Sequence, residues 1–582
     1  MDMEVEEEKP ALLTDMKPES KPDMVEEKTV EQVVQGFKAG TTISQLKYKQ
    51  LCRALSQIRM WKDETKQEFL SGFLNLASVF DGSCIDLVRS LCDLDWMHIP
   101  SIQLPQFLKL LTDTCSYNPI FVDPVLKSCV RNLSPPIEFI ADESGEVKAC
   151  CPLSDSELEL IYIKSMECIE IIVKRLPPAI FSLSSAILKH KPHRTAPLEK
   201  LVAHVRHIIV ISDRFPQISE ELYGALVNGL LQMDGIVSQY SGADIAKEAS
   251  SLFLKTEVEA TYDEEGYKVQ IKEKLDVCMT ILMCYVGLGT ENPAIKPQDT
   301  PYTRFLESYE PNKVAFNRLL PILETHILNC HEMDNVPFLW FYMASYSREN
   351  LMKLMRVFWK VVITPSQRPN EFKKAHNSAA FMSGILARAN FVNYQVMCFW
   401  LKQMANWCLH YIDKAGQVKR PGAHQHGTFY AVVQAFLFVL CFRYKEFVEN
   451  KQIDELRLWG LGRIVHCQLE PLNYISTPLA KCFACVSRYM QIVYCNHIIS
   501  LGENGPLEFY FPFLKSGLPR LSAIVQPLLR EFTPADDDLA TSAVVLAPRR
   551  RMESQTEIDE YDFMYADQPM EMTTDTSLLT TY

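Results

Sequence analysis

The sequence predicts an all-α protein, an elongated HEAT-repeat-like α-solenoid, and three observations predict it. Glycine is scarce, at 21 of 582 residues, and apolar residues make up 47%, which favours helices and an extended core over a loop-rich β protein. Apolar side chains recur at helical spacing along the first ordered stretch. Helix starts expected near 65, 84, 105 and 124 lie about 20 residues apart, so helix pairs would return about every 40, the period of HEAT and armadillo arrays. The units share no strict consensus, which leaves an irregular all-α domain as the rival architecture.

Phe69, Phe73, Leu76 and Phe80 form an i, i+4, i+7, i+11 stripe that predicts one helix face, broken by Asp81-Gly82. Ser83 is the expected cap of a second helix carrying Ile85, Val88 and Cys92. Pro105 opens a third, with Phe107, Leu110 and Leu111, and Asn118-Pro119 closes it. Asp123-Pro124 reads as an N-cap followed by proline at the first helical position, where the missing N–H costs nothing. Leu126, Cys129, Val130 and Leu133 continue that helix until Pro135-Pro136 ends it. Mobile inserted loops are expected near 141–155 and 255–268, because acidic polar stretches bury too little apolar surface to offset ordering entropy. Arg348 to Lys374 and Asp413 to Gln425 read at least in part as connectors, from Pro365, Pro369, Gly416, Pro421 and Gly422. The most apolar run, Ala431 to Phe442, predicts a buried helix, and Phe399, Trp400, Leu401, Met404, Trp407, Cys408 and Tyr411 predict a helix-to-helix seam.

Charge divides the chain. Residues 1–30 hold ten acidic residues against four lysines, and 553–582 hold eight acidic residues and no lysine or arginine, so the net charge of −13 resides in the tails and the body is near neutral. The expected organisation is a disordered acidic N-terminal tail over 1–30, the solenoid over 31–545 and a disordered acidic C-terminal tail over 546–582. A near-neutral body lacks the basic field that supplies sequence-independent phosphate binding, for which a domain pI above ~9 is the usual footprint, so no direct DNA binding is expected. The N-terminus carries neither the basic nor the apolar segment of a secretory leader, which predicts an intracellular protein. Its 18 cysteines then read as small buried hydrophobes. The run from Ala431 to Phe442 is interrupted by Gln434 and is shorter than the roughly 20 residues of a spanning helix, so no membrane partner is expected.

No chemistry-bearing motif stands out. The chain has no Gly-Lys dipeptide and hence no P-loop, and Gly287-Leu288-Gly289 lacks the third glycine of a dinucleotide fingerprint. Cys482-Phe483-Ala484-Cys485 has metal-site spacing but no second pair at ligating distance, and its neighbours Val486, Met490 and Val493 mark it as core. His331-Glu332 would need a histidine where Asn335 stands, and His424-x-His426 is too isolated to define a site. No enzyme activity, cofactor or metal is therefore expected.

One polar concentration remains: Lys189-His190-Lys191-Pro192-His193-Arg194-Thr195-Ala196-Pro197, continued by Lys200, His204, Arg206 and His207. Pro192 and Pro197 place the first part in a loop, and Lys200, His204 and His207 are spaced to share a helix face. Two readings fit. One is a solvated loop and polar helix face. The other is a docking patch of Lys189, Lys191, His193, Arg194, Lys200 and His204, switched by phosphorylation at Thr195, Ser182, Ser184 or Ser185, since a phosphate adds about −1.5 to −2 charges. The acidic C-terminal stretch after Arg549-Arg550-Arg551, studded with Ile558, Tyr561, Phe563, Met564 and Tyr565, reads either as a solubilising tail or as a segment that orders on a partner.

Four segments in order, SAAFMSGILARANF from Ser378 to Phe391, HGTFYAVVQAF from His426 to Phe436 with FRYK from Phe442 to Lys445, QLEPLNYISTPLAKCFACVSRYMQIVYCNHII from Gln468 to Ile499, and EFYFPF from Glu508 to Phe513, resemble the TIF-IA family of RNA polymerase I-specific transcription initiation factors. The resemblance runs from about Val33 to about Glu531. It implies a non-catalytic protein of the nucleus and nucleolus that binds RNA polymerase I at its stalk. It further implies a bridge to promoter selectivity factor subunits for ribosomal RNA synthesis, under the control of regulatory kinases. The stretch leading into a helix resembling Leu198 to Ile209 would contribute to the stalk-facing surface, and phosphorylation there would block the encounter. Register places Arg194 near the family's serine, with Thr195 as the neighbouring hydroxyl. The sequence leaves the oligomeric state open, and the resemblance makes a homodimer of the free protein an expectation. The alternative from another class is a HEAT-type scaffold or nuclear transport receptor, which predicts cargo or Ran-dependent binding and no preference for polymerase I over polymerase II.

Overall fold

Helices carry nearly all the regular structure in the computed structural model, which describes residues 29–531 apart from 41, 142–146, 239–263, 291–292, 310–313, 331–332, 365–368, 416–419, 500–511 and 514–515. The tails expected over 1–30 and 546–582 lie outside the described residues except for Thr29 and Val30, as do 255–263 of the second expected loop. The chain divides into two compact units between Lys191 and Pro192.

In the first unit helices begin close to the expected positions, as Asp63–Ser71, Ile85–Cys92, Leu104–Tyr117 and Val122–Asn132. Their punctuation differs. The Asp63–Ser71 helix stops well before Phe80, and the N–H groups of Phe73, Leu76 and Val79 donate to the carbonyls of Leu70, Phe73 and Leu76 in successive three-residue turns. Steps of three return side chains to the same side, so Phe73 and Leu76 bury together, and Phe80 is buried just past the last turn, although no single helix joins them. Asp81, not Ser83, makes the next cap: its carboxylate accepts the Ser83 N–H at 3.0 Å and pairs with Lys38 at 2.9 Å. The chain enters Ile85–Cys92 through the 3-10 turn Gly82–Cys84, which moves the orphan N–H groups back toward Asp81. Likewise Asn118 caps the 3-10 turn Pro119–Phe121, accepting from the Ile120 N–H at 3.2 Å, and Asp123 sits inside the first turn of Val122–Asn132, paired with Lys127.

Where a loop is expected at 141–155, the chain forms a hairpin in which Glu138–Ala141 (β1) pairs antiparallel with Val147–Cys150 (β2), Glu138 opposite Cys150 and Ala141 opposite Val147. Phe139, Ile140 and Val147 suit a strand. Ser154 then opens Asp155–Arg175 with a capping box: its Oγ accepts the Glu157 N–H, and the Glu157 carboxylate accepts the Ser154 N–H at 3.0 Å. Packing within this unit alternates. Thr42–Gln57 lies on Ile85–Cys92, which lies on Val122–Asn132, which lies on Ala179–Lys189, while Leu104–Tyr117 lies on Asp155–Arg175. Two layers of alternate helices are what stacked helix pairs produce.

In the second unit Glu264–Gly287 begins inside the second expected loop, because Ile271, Leu275, Val277, Cys278 and the residues that follow bury on every side. Of Arg348–Lys374 only 364–368 lies between helices. Ser347 caps Arg348–Ile363, accepting the Asn350 N–H at 3.1 Å, and Leu351, Leu354, Met355, Phe358, Trp359 and Val362 bury as a helical stripe. Pro369 starts Pro369–Arg388, a position where proline opens helices as readily as it ends them. Of the second expected connector only 416–422 remains between Tyr394–Ala415 and Ala423–Glu449.

The Ala423–Glu449 helix, kinked at His426 and Arg443, packs against Pro369–Arg388, Tyr394–Ala415 and Thr477–Tyr489. Phe429 to Cys441 are buried, each large side chain contributing roughly 1.5–3 kcal/mol. By length and hydropathy Gln425–Glu449 resembles a membrane span, but 89% of its most apolar window is buried inside the protein, as in a core helix. A Cβ at Gly427 would lie 2.0 Å from Phe372 Cζ, so glycine permits the close approach to Pro369–Arg388. Trp400, Leu401, Met404, Trp407 and Cys408 form the expected seam, with Trp359 meeting Trp400 and Trp407 edge-on. Cys482 is buried within Thr477–Tyr489, as the core reading requires, whereas Cys485 is only half-buried.

Near the end of this unit the Pro519–Val525 helix is tied down by Asp276, whose carboxylate accepts the Arg520 N–H at 2.9 Å and the Leu521 N–H at 3.0 Å. Asp276→Ala would orphan both donors and cost roughly 2 kcal/mol or more. Hydrogen exchange should therefore quicken at Arg520 and Leu521 in the variant; unchanged exchange with an unchanged melting temperature would refute the clasp.

Candidate functional site

Residues of the polar concentration fall in both units. In the first, Lys189 ends the Ala179–Lys189 helix and is exposed, and Lys191 is half-buried, with burial drawing its ammonium below the ordinary lysine value. His190 is exposed, its Nδ1 2.9 Å from the Ala186 carbonyl. Among the hydroxyls, Ser182 and Ser185 are half-buried, whereas Ser184 is only 3% exposed because it lies on the face carrying Leu183 and Ile187 inward. A kinase cannot reach Ser184 in this packing, which removes it as a surface switch.

In the second unit His193 and Thr195 are exposed, while Arg194, Lys200 and His204 are half-buried. Lys191 and Arg194 therefore do not form the open surface that composition suggests. Thr195 Oγ1 lies 2.8 Å from His193 Nδ1, which also accepts the Thr195 N–H at 3.3 Å. The loop is anchored from a distance: Lys274, on Glu264–Gly287, donates to the carbonyls of Arg194 and Thr195 at 3.3 Å each. Burial lowers the Lys274 ammonium, and Glu199 opposes that fall. Nothing local to 189–207 announces this lysine, nearly eighty residues away in sequence. On Leu198–Arg214, His207 is buried rather than sharing a solvent face with Lys200 and His204, and Arg206 stacks over Phe305 at 5.1 Å. The result is an exposed threonine on a loop whose backbone is held by a cation, with basic side chains partly sunk around it.

Among the described residues no group of three or more His, Cys, Asp or Glu is placed to hold a metal ion. The sequence model described as RNA polymerase I specific transcription initiation factor RRN3 matches residues 20–537, most of the chain. The chain belongs to the RRN3 family. Relatives include the RNA polymerase I-specific transcription initiation factor tif-1A of Caenorhabditis elegans, 28% identical over 90% of this chain and 85% of that protein. The factor named RRN3 of Mus musculus is 22% identical over 79% of this chain and 74% of its own length. A crystal structure titled RNA Polymerase I Transcription Initiation Factor Rrn3 superposes with a TM-score of 0.61 at 16% identity, covering 87% of this chain and 97% of that one, which shows a shared fold. RRN3 membership makes the chain an RNA polymerase I-specific transcription initiation factor, a non-enzymatic class with a nuclear role.

Treating the folded protein with a promiscuous Ser/Thr kinase should place phosphate on Thr195 and none on Ser184, as read by peptide mass spectrometry. Equal labelling of both would contradict the burial of Ser184.

Proposed function

We propose that this RRN3-family chain bridges RNA polymerase I, met at its stalk, to the promoter-bound selectivity factor, and that phosphorylation near Thr195 weakens the polymerase contact. The observation that carries the reading is the family match across 20–537, which spans both units. The contacts proposed for the polymerase are Lys189 and Lys191 at the end of the first unit and His193, Arg194, Lys200 and His204 at the start of the second. Support for the switch comes from the exposed Thr195 hydroxyl beside His193. A phosphate there would break that hydrogen bond and draw the basic side chains onto itself, removing them from a partner. Action in the nucleolus, regulatory kinases and a homodimer of the free protein complete the proposal. The transport-receptor alternative receives no support from the family match.

Capture of the tagged protein from nuclear extract, with the largest subunits of polymerases I and II quantified, should recover polymerase I selectively. Thr195→Asp should lower that recovery several-fold and Thr195→Ala should preserve it, with circular dichroism unchanged in both. Recovery of neither polymerase would end the bridging reading, and stronger binding by Thr195→Asp would end the switch.

A further inference from the structure

The first unit holds a cavity of about 270 Å³ whose polar wall is Arg89, Lys127, Arg131 and His190 against Asp93 and Asp123. Its three arginine and lysine side chains are committed to different degrees. Lys127 pairs with Asp123 at 2.5 Å, and Arg131 reaches Asp93 at 3.3 Å and Asp95 at 3.8 Å. Arg89 meets the Asp86 carboxylate only at 3.9 Å, and its side chain is 62% exposed. His190 Nδ1 lies 2.9 Å from the Ala186 carbonyl, which can only accept, so Nδ1 carries a proton, and only a doubly protonated ring would also donate from Nε2 to an anion. The Cys92 carbonyl, which would repel an anion, is covered by the Ser128 hydroxyl at 2.6 Å and the Arg131 guanidinium at 2.7 Å. Asp123 and Pro124 bring the first turn of Val122–Asn132 to the same wall, the helix end that favours negative charge.

The existing aspartates decide which anion fits. A single carboxylate would compete with Asp93 and Asp123 on equal terms for cations they already hold. A phosphoryl group carries up to two charges and three strong acceptor oxygens, enough to outweigh either aspartate, and arginine forks bind it in two-pronged fashion. The cavity is also larger than one free anion requires, leaving space for a side chain and its flanking backbone. We propose that this cavity is a docking site for a phosphoserine- or phosphothreonine-bearing segment of a partner protein. The inference is independent of the patch around Thr195, since none of its residues belongs to the second unit.

The test uses the full chain and a fluorescent Gly-Gly-phosphoserine-Gly-Gly peptide, with the serine and glutamate versions and inorganic phosphate as comparisons. Saturable anisotropy is expected with the phosphopeptide, with binding of the serine and glutamate peptides and of free phosphate at least about tenfold weaker. Arg89→Gln and Lys127→Gln, both at accessible positions, should each weaken it roughly tenfold without moving the melting temperature. The proposal is overturned if the folded protein ignores millimolar phosphopeptide, if the glutamate or serine peptide binds equally, if free phosphate competes as well as the peptide, or if neither variant changes affinity.

Discussion

Two carboxylates that are almost wholly out of water, Asp234 and Asp276, hold together the second unit. A buried carboxylate costs several kcal/mol unless its oxygens are satisfied, and here they are satisfied by backbone from distant parts of the chain. Asp234 accepts the N–H groups of Asn335 and Val336 and the Asn335 amide at 2.7 Å. The Asn335 carbonyl oxygen in turn accepts the Ser516 hydroxyl at 2.8 Å and the Gly517 N–H at 3.3 Å. Asp276 takes the first-turn N–H groups of Pro519–Val525, where the helix dipole offsets part of the cost of its charge. Segments near 234, 276, 335 and 516–521 thus close on one another through buried polar groups.

A second polar knot secures the far side of the same unit. Arg443, 2% exposed, makes a bidentate pair with Glu446 and donates to the Leu386 carbonyl at 3.0 Å, at the kink of the central helix. Arg530 joins Glu446 and donates to the carbonyls of Ala389, Asn390 and Val392. The apolar interior supplies most of the favourable burial, but it is non-directional. These charge-assisted bonds select one register of helix on helix.

For a factor that catalyses nothing, such rigidity has a purpose. An interaction surface built on loops between packed helices is only as well placed as the loops themselves, and Lys274 holds the backbone of Arg194 and Thr195 from a core helix. Hydroxyls eleven residues apart then acquire different standing: Thr195 faces solvent, while Ser184 is packed away. The alternate-helix layering of the first unit likewise leaves charged ends such as Arg89 and Lys127 at its surface while Val88, Leu91 and Leu126 fill its interior.

Helix class, the helix starts near 65, 84, 105 and 124 and the buried nature of Ala431 to Phe442 were all legible in the amino-acid order, because each is written within a window of about a dozen residues by apolar spacing and turn residues. The same local reading took Phe69 to Phe80 for a single helix, since the turns after Ser71 bury positions that a helix would, and it took Arg348 to Lys374 in part for a connector because nearby prolines outweighed a stripe of large apolar residues. Ser184 and Thr195 look alike as hydroxyls beside basic residues, and only packing separates them. Lys274, Asp276 and Asn335 carry no local signal at all. Their partners lie tens to hundreds of residues away, so what they bond to is decided only when the helices have packed and water has left.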